Sequence, residues 1–371
     1  MKSLIAFSHS VLYDLGDRCH ISTGRDCKTV TARAEHEGEA FFTISLVKFG
    51  KDFQKSLDQG FVGRSMFLGF RKHGELPRFL GGFLDLVFSR ETGRLLDEPS
   101  TDAILSVHQF SQMFGKFFDI CSQERVSKAI DGFIQCEQDV RASDASRSPD
   151  DIRDFQRISS MLYSEVFTRV DRMVYEGELL PKHGPGKTAE KLSSNAKYSQ
   201  KEWTARLERV FPFGEYLYPN WGWYQNFPDV SILEPEDERP VRIVTVPKTQ
   251  KTPRIIAVEP ACMQYAQQAI HLAVTAQIDG DDLLSALLGN SSQEPNRRLA
   301  RIGSSSGSLA TLDLSEASDR VSNQLVRDMF HLWPHLHEAI DACRSRKADV
   351  PGYGVQRLAK FASMGSALCF D

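Results

Sequence analysis

The sequence predicts an α+β chain in two regions, residues 1–240 and 241–371, and three observations predict it. The β-branched runs Val241–Val246 and Arg254–Val258 read as neighbouring strands of a hairpin. Apolar residues at three- and four-residue spacing over Phe79–Phe88 and Ile104–Phe118, and again after Pro260, read as helices with one buried face. Residues 1 to about 140 alternate short apolar runs with charged helical segments, and the acidic run Glu234–Glu238 precedes a change of character, with sharper signals from Val241 onward.

The 371 residues are enough for two or three domains with cores of their own. A content of 41% hydrophobic and 25% charged residues is that of a soluble globular protein. The formal net charge of -4 does not mark a nucleic-acid binder, so any such function must rest on local basic segments. Seven cysteines, odd in number and without a CxxC pair, argue against a disulfide framework and a zinc ribbon and favour a reducing cytosol. The apolar run Leu4–Phe7 is broken at once by Ser8, His9 and Ser10, too short for a signal-peptide core. No stretch approaches the roughly 18 apolar residues of a membrane span, so a soluble intracellular protein without membrane contact is expected.

Taken in order, Phe41–Leu46 reads as a strand. The polar segment Asp139–Asp154, with Ser143, Ser146, Ser148 and Pro149, reads as a long exposed loop, and a helix follows from Asp150 to Glu176. Residues 181–201 read as a basic loop, in which Lys182, Lys187, Lys191, Lys197 and Lys201 face only Glu190. The aromatic stretch Tyr216–Phe227, with Trp221, Trp223 and Phe227, suits either stacking on RNA bases or ordinary core packing.

Between the two β-branched runs, Pro247–Pro253 makes a turn-rich connection, and Lys248, Lys251 and Arg254 fall within seven residues. Charged hairpins are common solvated surface features. Fixed cations on a rigid hairpin can also neutralise the charge that builds on a triphosphate and its leaving pyrophosphate. Pro260 starts a helix running to about Ile278, with Met263, Ile270 and Val274 on its buried side. The triplet Gly280-Asp281-Asp282 reads as the turn that ends it.

Leu309–Leu314 reads as a strand that delivers Asp313 at its end, with Ser315 or Ser318 capping a following helix. That helix shows Val321, Leu325, Met329 and Leu332 at helical spacing, which predicts packing on a sheet, and it puts Asp319 in its first turn. An aspartate at such a junction is usually a cap or a surface charge. A carboxylate at the end of a strand also suits Mg2+, a hard cation that prefers carboxylate and phosphate oxygens, and Asp319 could accept a hydrogen bond from a ribose 2'-hydroxyl.

Three other motifs fail on spacing. Gly186-Lys187-Thr188 lacks the glycine of a phosphate loop, since Pro181 stands there. His36-Glu37 has Ala40 where a zinc protease needs its second histidine. Ser315 and Ser318 lack a Gly-x-Ser-x-Gly elbow.

Four segments in order then resemble the replicase β subunit of the leviviruses, the small positive-strand RNA bacteriophages. They are Val246–Arg254 through Glu259-Pro260, Asn296–Ser304, Ala310–Asp319 and Phe361–Ser366. Weaker similarity lies upstream at Leu57–Gly60, Phe67–Lys72, Gly93–Asp97, Lys182–Gly186 and Asn195–Lys197. The resemblance implies an RNA-directed RNA polymerase with a right-hand fold. Residues 1–240 would be N-terminal and fingers regions, and 241–371 the nucleotide-binding hairpin and part of the palm. It implies Asp313 as catalytic Mg2+ ligand in a two-metal site, with the Leu314 carbonyl a second contact. Lys248, Lys251 and Arg254 would hold NTP phosphates, Asp319 would recognise the ribose, and Ser363 and Gly365 would shape the loop against template and nucleotide. It implies RNA and NTPs as partners, with host translation elongation factors Tu and Ts, in the cytoplasm of a bacterial host.

The sequence departs from that family in one respect. No Gly-Asp-Asp follows Asp313. The thumb and the rest of the palm are therefore expected to be missing, the metal site incomplete, and the chain inactive alone. Asp371 stands where the family shows an apolar or proline residue, which predicts a break in the reading frame or an incomplete gene. The alternative is a non-catalytic fragment that binds RNA or a host factor.

Overall fold

The computed structural model describes all residues except 116–120, 193–194, 218–229, 289–291 and 370–371. The chain is a mixture of helix and sheet and divides into two compact units. The first comprises Met1–Ser127 with Val246–Arg254, the second Lys128–Thr245 with Ile255–Asp371.

The first unit is mostly helical: α1 (Lys2–Cys19), α2 (Gly24–Glu37), a π-helical turn at Phe41–Ser45, α3 (Leu46–Gln59), α4 (Gly81–Asp85) and α5 (Thr101–Gln112). The strand expected at Phe41–Leu46 is absent. Phe42, Leu46, Phe49 and Phe53 fall on one helical face and are all buried, so burial along a helix outweighs the strand preference of Thr43 and Ile44. The core is aromatic, with Phe49 packed against Phe67, Phe70 and Phe79 at centroid separations of 4.7, 4.9 and 5.5 Å. Helix α4 is shorter than the expected Phe79–Phe88 because Leu80 takes a left-handed conformation before it and Phe88 bridges to Leu95 after it. The backbone N–H of Leu80 donates to Asp26 Oδ1 at 2.6 Å, inside the unit. Helix α5 starts where Ser100 accepts from the Ala103 N–H at 3.2 Å, and it ends at Gln112, short of the expected Phe118, with residues 113–115 already in a turn.

The loop expected at Asp139–Asp154 is instead two long helices, α6 (Gln123–Ser146) and α7 (Pro149–Tyr175), with only Arg147 and Ser148 between them. Ser148 accepts from the Asp151 N–H at 3.1 Å, the Asp151 carboxylate accepts from the Ser148 N–H at 3.3 Å, and Pro149 occupies the first turn. Serine and proline here form a capping box, which gives the same composition as a loop.

The second unit continues with a short parallel pair, β3 (Glu202–Thr204) and β4 (Ser231–Leu233); the first unit holds the small antiparallel pair β1 (Lys72–His73) and β2 (Leu76–Pro77). A four-stranded sheet has the order β6-β5-β7-β8, with β5 Val241–Val246, β6 Arg254–Val258, β7 Lys347–Val350 and β8 Gly354–Arg357. The two strands expected before and after the basic turn are thus neighbours. Strand β7 is parallel to β5, with Val241 opposite Ala348, and antiparallel to β8. The helices α8 (Ala205–Val210) and α9 (Phe213–Tyr216) precede the sheet. Helix α10 (Ala261–Asp279) follows Pro260 as expected and buries Met263, Ile270 and Val274. It ends at Gly280, and Asp281 Oδ1 accepts from Leu283 and Leu284 N–H groups at 3.0 and 2.8 Å, so the Gly-Asp-Asp triplet is indeed a turn between helices. Helices α11 (Asp282–Leu288), α12 (Glu294–Ser306), α13 (Ala317–Arg320), α14 (Asn323–Met329) and α15 (Pro334–Cys343) complete the unit. Its core joins α7, α10 and α15 through residues such as Phe167, Ile270 and Leu336. The stretch holding Trp221, Trp223 and Phe227 lies outside the described residues. Among the described residues no helix is long and apolar enough to cross a membrane.

Candidate active site

The three hairpin cations sit on the connection between β5 and β6. Lys248, Lys251 and Arg254 are all exposed and have no ion-pair partner among the described residues. The connection itself is anchored. Cys121 donates to the Thr249 carbonyl at 2.9 Å, Arg125 Nη1 donates to the Gln250 carbonyl at 2.9 Å, and Thr43 donates to the Gln250 side chain. A fixed backbone with free ammonium and guanidinium groups is the arrangement that can meet an anion without reorganising.

The carboxylate segment departs from expectation. Leu309–Leu314 forms no strand: it is an exposed coil in which Leu312 is 87% and Leu314 76% exposed, and Asp313 is exposed with them. A strand needs a neighbour to satisfy its backbone groups, and none of the described strands lies beside it. Neither Ser315 nor Ser318 caps the next helix. Its N-cap is Glu316, left-handed at φ 54°, and α13 ends at Arg320. Ser322 then caps α14, accepting from the Leu325 N–H at 3.0 Å. The expected single amphipathic helix is therefore broken at Val321–Ser322. Its apolar residues Val326 and Met329 pack among helices rather than on a sheet, while Leu332 is 56% exposed.

Asp319 lies in the first turn of α13, as expected, and is tied into the interior. Lys360, with no exposed surface, places its ammonium 3.0 Å from Asp319 Oδ1 and 3.5 Å from Glu137 Oε1. The same ammonium stands 3.6 Å from the centre of the Phe133 ring. Glu137 Oε2 accepts from the Ala359 N–H at 2.6 Å, and the Cys136 thiol donates to the Asp319 carbonyl at 3.2 Å. Arg320 turns outward to Asp139 and Glu316, at 3.3 and 3.0 Å.

The chain then passes from Lys360 into the turn Ser363–Ser366. Its approach is held by Arg344, whose buried guanidinium donates to the carbonyls of Leu358, Lys360 and Phe361 at 2.9, 2.7 and 3.0 Å. Burial holds Arg344 below the usual arginine range, at about 10. Ser363 is buried, and its hydroxyl has no hydrogen-bond partner among the described residues. Gly365 has φ 130°, and a Cβ there would collide with the Ala257 carbonyl of β6. The Met364 carbonyl accepts from the Ala257 N–H at 2.8 Å, which brings the turn onto the sheet. Only glycine allows that approach. Ser366 and the Ala367 N–H both donate to Gln267 Oε1 at 3.1 Å.

Beneath the turn Glu259 is fully buried and accepts from Ser345; burial raises its carboxyl to about 7. The Cys369 thiol is pushed up to about 11 by burial, and the Phe361 N–H donates to the Val321 carbonyl at 2.8 Å, which ties the approach to the turn to the segment after α13. The second unit therefore brings Asp319, Ser363 and Gly365 into one neighbourhood and leaves Asp313 on an exposed coil. Among the described residues no group of three or more His, Cys, Asp or Glu is placed to hold a metal ion. Asp313 with the Leu314 carbonyl offers hard oxygen ligands of the kind Mg2+ takes, as one side of a site rather than a whole one.

Glu137, Lys360 and Arg344 were not singled out from the sequence. Two of them carried a signal. Glu137 interrupts the apolar face Ile130, Phe133, Val140 of α6, and Lys360 stands alone in the run Leu358–Ala362. A charge on an apolar face must be paired or cost several kcal/mol, about the scale of a domain's net stability.

The hairpin, the Asp313–Asp319 segment and the Ser363–Ser366 turn fall in a segment that matches a known class, and Glu137 lies outside it. Residues 232–371 match the family model described as RNA replicase, beta-chain. The resemblance to levivirus replicases is borne out over this stretch. The chain is 36% identical over 129 residues to the RNA-directed RNA polymerase beta chain of Escherichia phage MS2, covering 35% of this chain and 22% of that protein. It is also 36% identical over 130 residues to the RNA-directed RNA polymerase subunit beta of Escherichia virus Qbeta, and 35% identical over 130 residues to that of Enterobacteria phage SP. In each of these two, 35% of this chain and 21% of the relative are covered. The upstream motifs at residues 57–97 and 182–197 lie outside the matched stretch.

Proposed function

We propose that the chain carries part of an RNA-directed RNA polymerase that copies a phage RNA genome from NTPs in the host cytoplasm. Residues 1–240 would serve as N-terminal and fingers regions of a right-hand fold, and 241–371 as the nucleotide-binding hairpin and part of the palm. The observation that carries this reading is the order, within the matched segment, of a basic hairpin, an aspartate pair and a Ser-Met-Gly turn. No one of them is specific; their sequence along the chain is.

Lys248, Lys251 and Arg254 neutralise the phosphates of an NTP, and Arg254 adds the planar fork suited to two phosphate oxygens. Asp319 accepts from the ribose 2'-hydroxyl, a group that only a ribonucleotide offers. Ser363 and Gly365 let template and nucleotide approach the backbone closely. Asp313 and the Leu314 carbonyl would hold Mg2+, which when bound lowers the pKa of the attacking 3'-hydroxyl and stabilises the leaving oxygen. The exposure of Asp313 leaves it open to complete such a site with acidic residues from outside the described fold. Template RNA, product RNA and the host elongation factors Tu and Ts are the partners this reading implies.

The test is nucleotide binding and synthesis by the 371-residue protein. With template RNA, NTPs and Mg2+ it is expected to show no incorporation above background, because among the described residues no acidic cluster stands with Asp313 to hold a metal ion. Arg254→Ala is expected to weaken Mg-ATP binding about tenfold while leaving RNA affinity unchanged. Collapse of RNA affinity with ATP binding intact would remove the phosphate role. Robust synthesis that Asp313→Ala abolishes would show the metal site to be complete.

A further inference from the structure

We propose that Lys360, backed by Glu137, is a positioning residue that fixes the Asp319 carboxylate for ribose recognition, an inference that rests on the polymerase reading above. A fully buried ammonium must be paired. Lys360 has two carboxylates within reach, Asp319 at 3.0 Å and Glu137 at 3.5 Å, and the face of Phe133 at 3.6 Å. One cation between two anions leaves net negative charge, and the two acids differ in what they can do with it. The Glu137 side chain is 3% exposed and also bound to the Ala359 N–H. The Asp319 side chain is 21% exposed, so it is the one that can show a charged oxygen to a ligand. With Oδ1 committed to Lys360, Oδ2 accepts no hydrogen bond among the described residues and is free for a hydroxyl.

The backbone explains why Lys360 meets Asp319. Helix α13 spans only Ala317–Arg320 and cannot fix its own orientation. The segment after it is paired to the segment that carries Lys360, with Ser322 bridging to Lys360. The Asn323 N–H donates to the Ala359 carbonyl at 2.9 Å and the Phe361 N–H to the Val321 carbonyl at 2.8 Å. Arg320, the next residue in the chain, is engaged by Asp139 and Glu316. The ammonium thus sets both the height and the rotation of the Asp319 carboxylate, while Glu137 holds Lys360 in place.

The experiment measures ATP and dATP affinities of the 371-residue protein in Mg2+, by displacement of a fluorescent ATP analogue. Wild type is expected to favour ATP about tenfold, the worth of a hydrogen bond to a charged group. Lys360→Met is expected to bring the ATP-to-dATP ratio close to one. Because it strands two carboxylates and can unfold the protein, the double variant Lys360→Met/Glu137→Gln is the stronger probe: it removes cation and buried anion together. It should stay folded by circular dichroism yet lose the preference. Glu137→Gln alone should keep most of it. A general loss of stability moves both affinities alike, so the ratio separates positioning from folding. A wild type with no preference, through equal binding or none, refutes the ribose role of Asp319 and this inference with it. A wild-type preference that the folded double variant retains in full refutes the positioning role alone.

Discussion

The two units bury very different things. The first closes around a phenylalanine cluster, and among its described residues Asp26 is the one buried ionisable carboxylate. The second buries Glu137, Lys197, Arg206, Glu238, Glu259, Arg344 and Lys360 amid its apolar core. Apolar packing tolerates exchange among shapes of similar volume. Buried charge tolerates almost none, because each group needs a particular partner at a particular distance. The first unit is therefore specified by volume and the second by chemistry, and the proposed site residues Asp319, Ser363 and Gly365 lie in the second.

The largest effect that tests this contrast is at Arg206. Its guanidinium grips Glu238 with two bonds of 2.6 Å. Arg206→Met leaves a buried carboxylate unpaired and should cost about 3–5 kcal/mol in denaturant unfolding. Arg206→Lys should recover little, since one ammonium cannot replace the fork. In the first unit Phe49→Ala should cost a comparable amount, about 3–5 kcal/mol, but Phe49→Leu should recover most of it. Equal rescue in both units would erase the distinction.

Next is the pH response, read as unfolding midpoints between pH 5 and 8. Glu259 is raised from 4.5 to about 7. The folded state binds this proton more tightly than the unfolded, so its contribution is complete below about pH 4.5 and is lost as pH rises through about 7. Glu259→Gln should flatten that loss in the second unit. Asp26, raised from 3.8 to about 6, should produce a smaller loss of the same sign in the first. His183 is lowered from 6.5 to about 4 by burial and by nearby Lys197, so its contribution is present above pH 6.5 and lost as pH falls toward 4. From pH 4.5 to 6.5 the two slopes oppose and cancel, so single variants separate them: Glu259→Gln should expose the loss toward low pH that His183 causes, and His183→Gln the loss toward high pH that Glu259 causes. A pH profile left unchanged by both variants would contradict these assignments.

The smallest effect is at the α6–α7 junction. Ser148→Ala should cost about 1 kcal/mol, the worth of an N-cap, and Ser148→Asp should restore it. No change on Ser148→Ala would mean that the capping box does not hold the two helices apart.

The elements legible in the sequence were those with a local cause. The β-branched runs at 241–246 and 254–258 became neighbouring strands, and Pro260 opened the helix through Asp279. The Gly280-Asp281-Asp282 turn followed from the same kind of signal. Misreadings arose where two structures share a composition. Serine and proline near residue 148 serve a cap as well as a loop. Phe41–Leu46 fits a strand until the helical spacing of Phe49 and Phe53 is counted.

By itself the sequence determined the order of basic hairpin, aspartates and Ser-Met-Gly turn, because each is a short contiguous motif. It also determined which helices are amphipathic, because periodicity is a property of one segment. Tertiary structure decided that Asp313 lies on an exposed coil, since a strand exists only beside another strand. It decided that Gly365 must be glycine, since the Ala257 carbonyl that excludes a side chain comes from a distant strand. It decided the partner of Asp319 as well. The pairing with Lys360 depends on where the chain returns, and only long-range burial makes an unpaired charge costly enough to fix it.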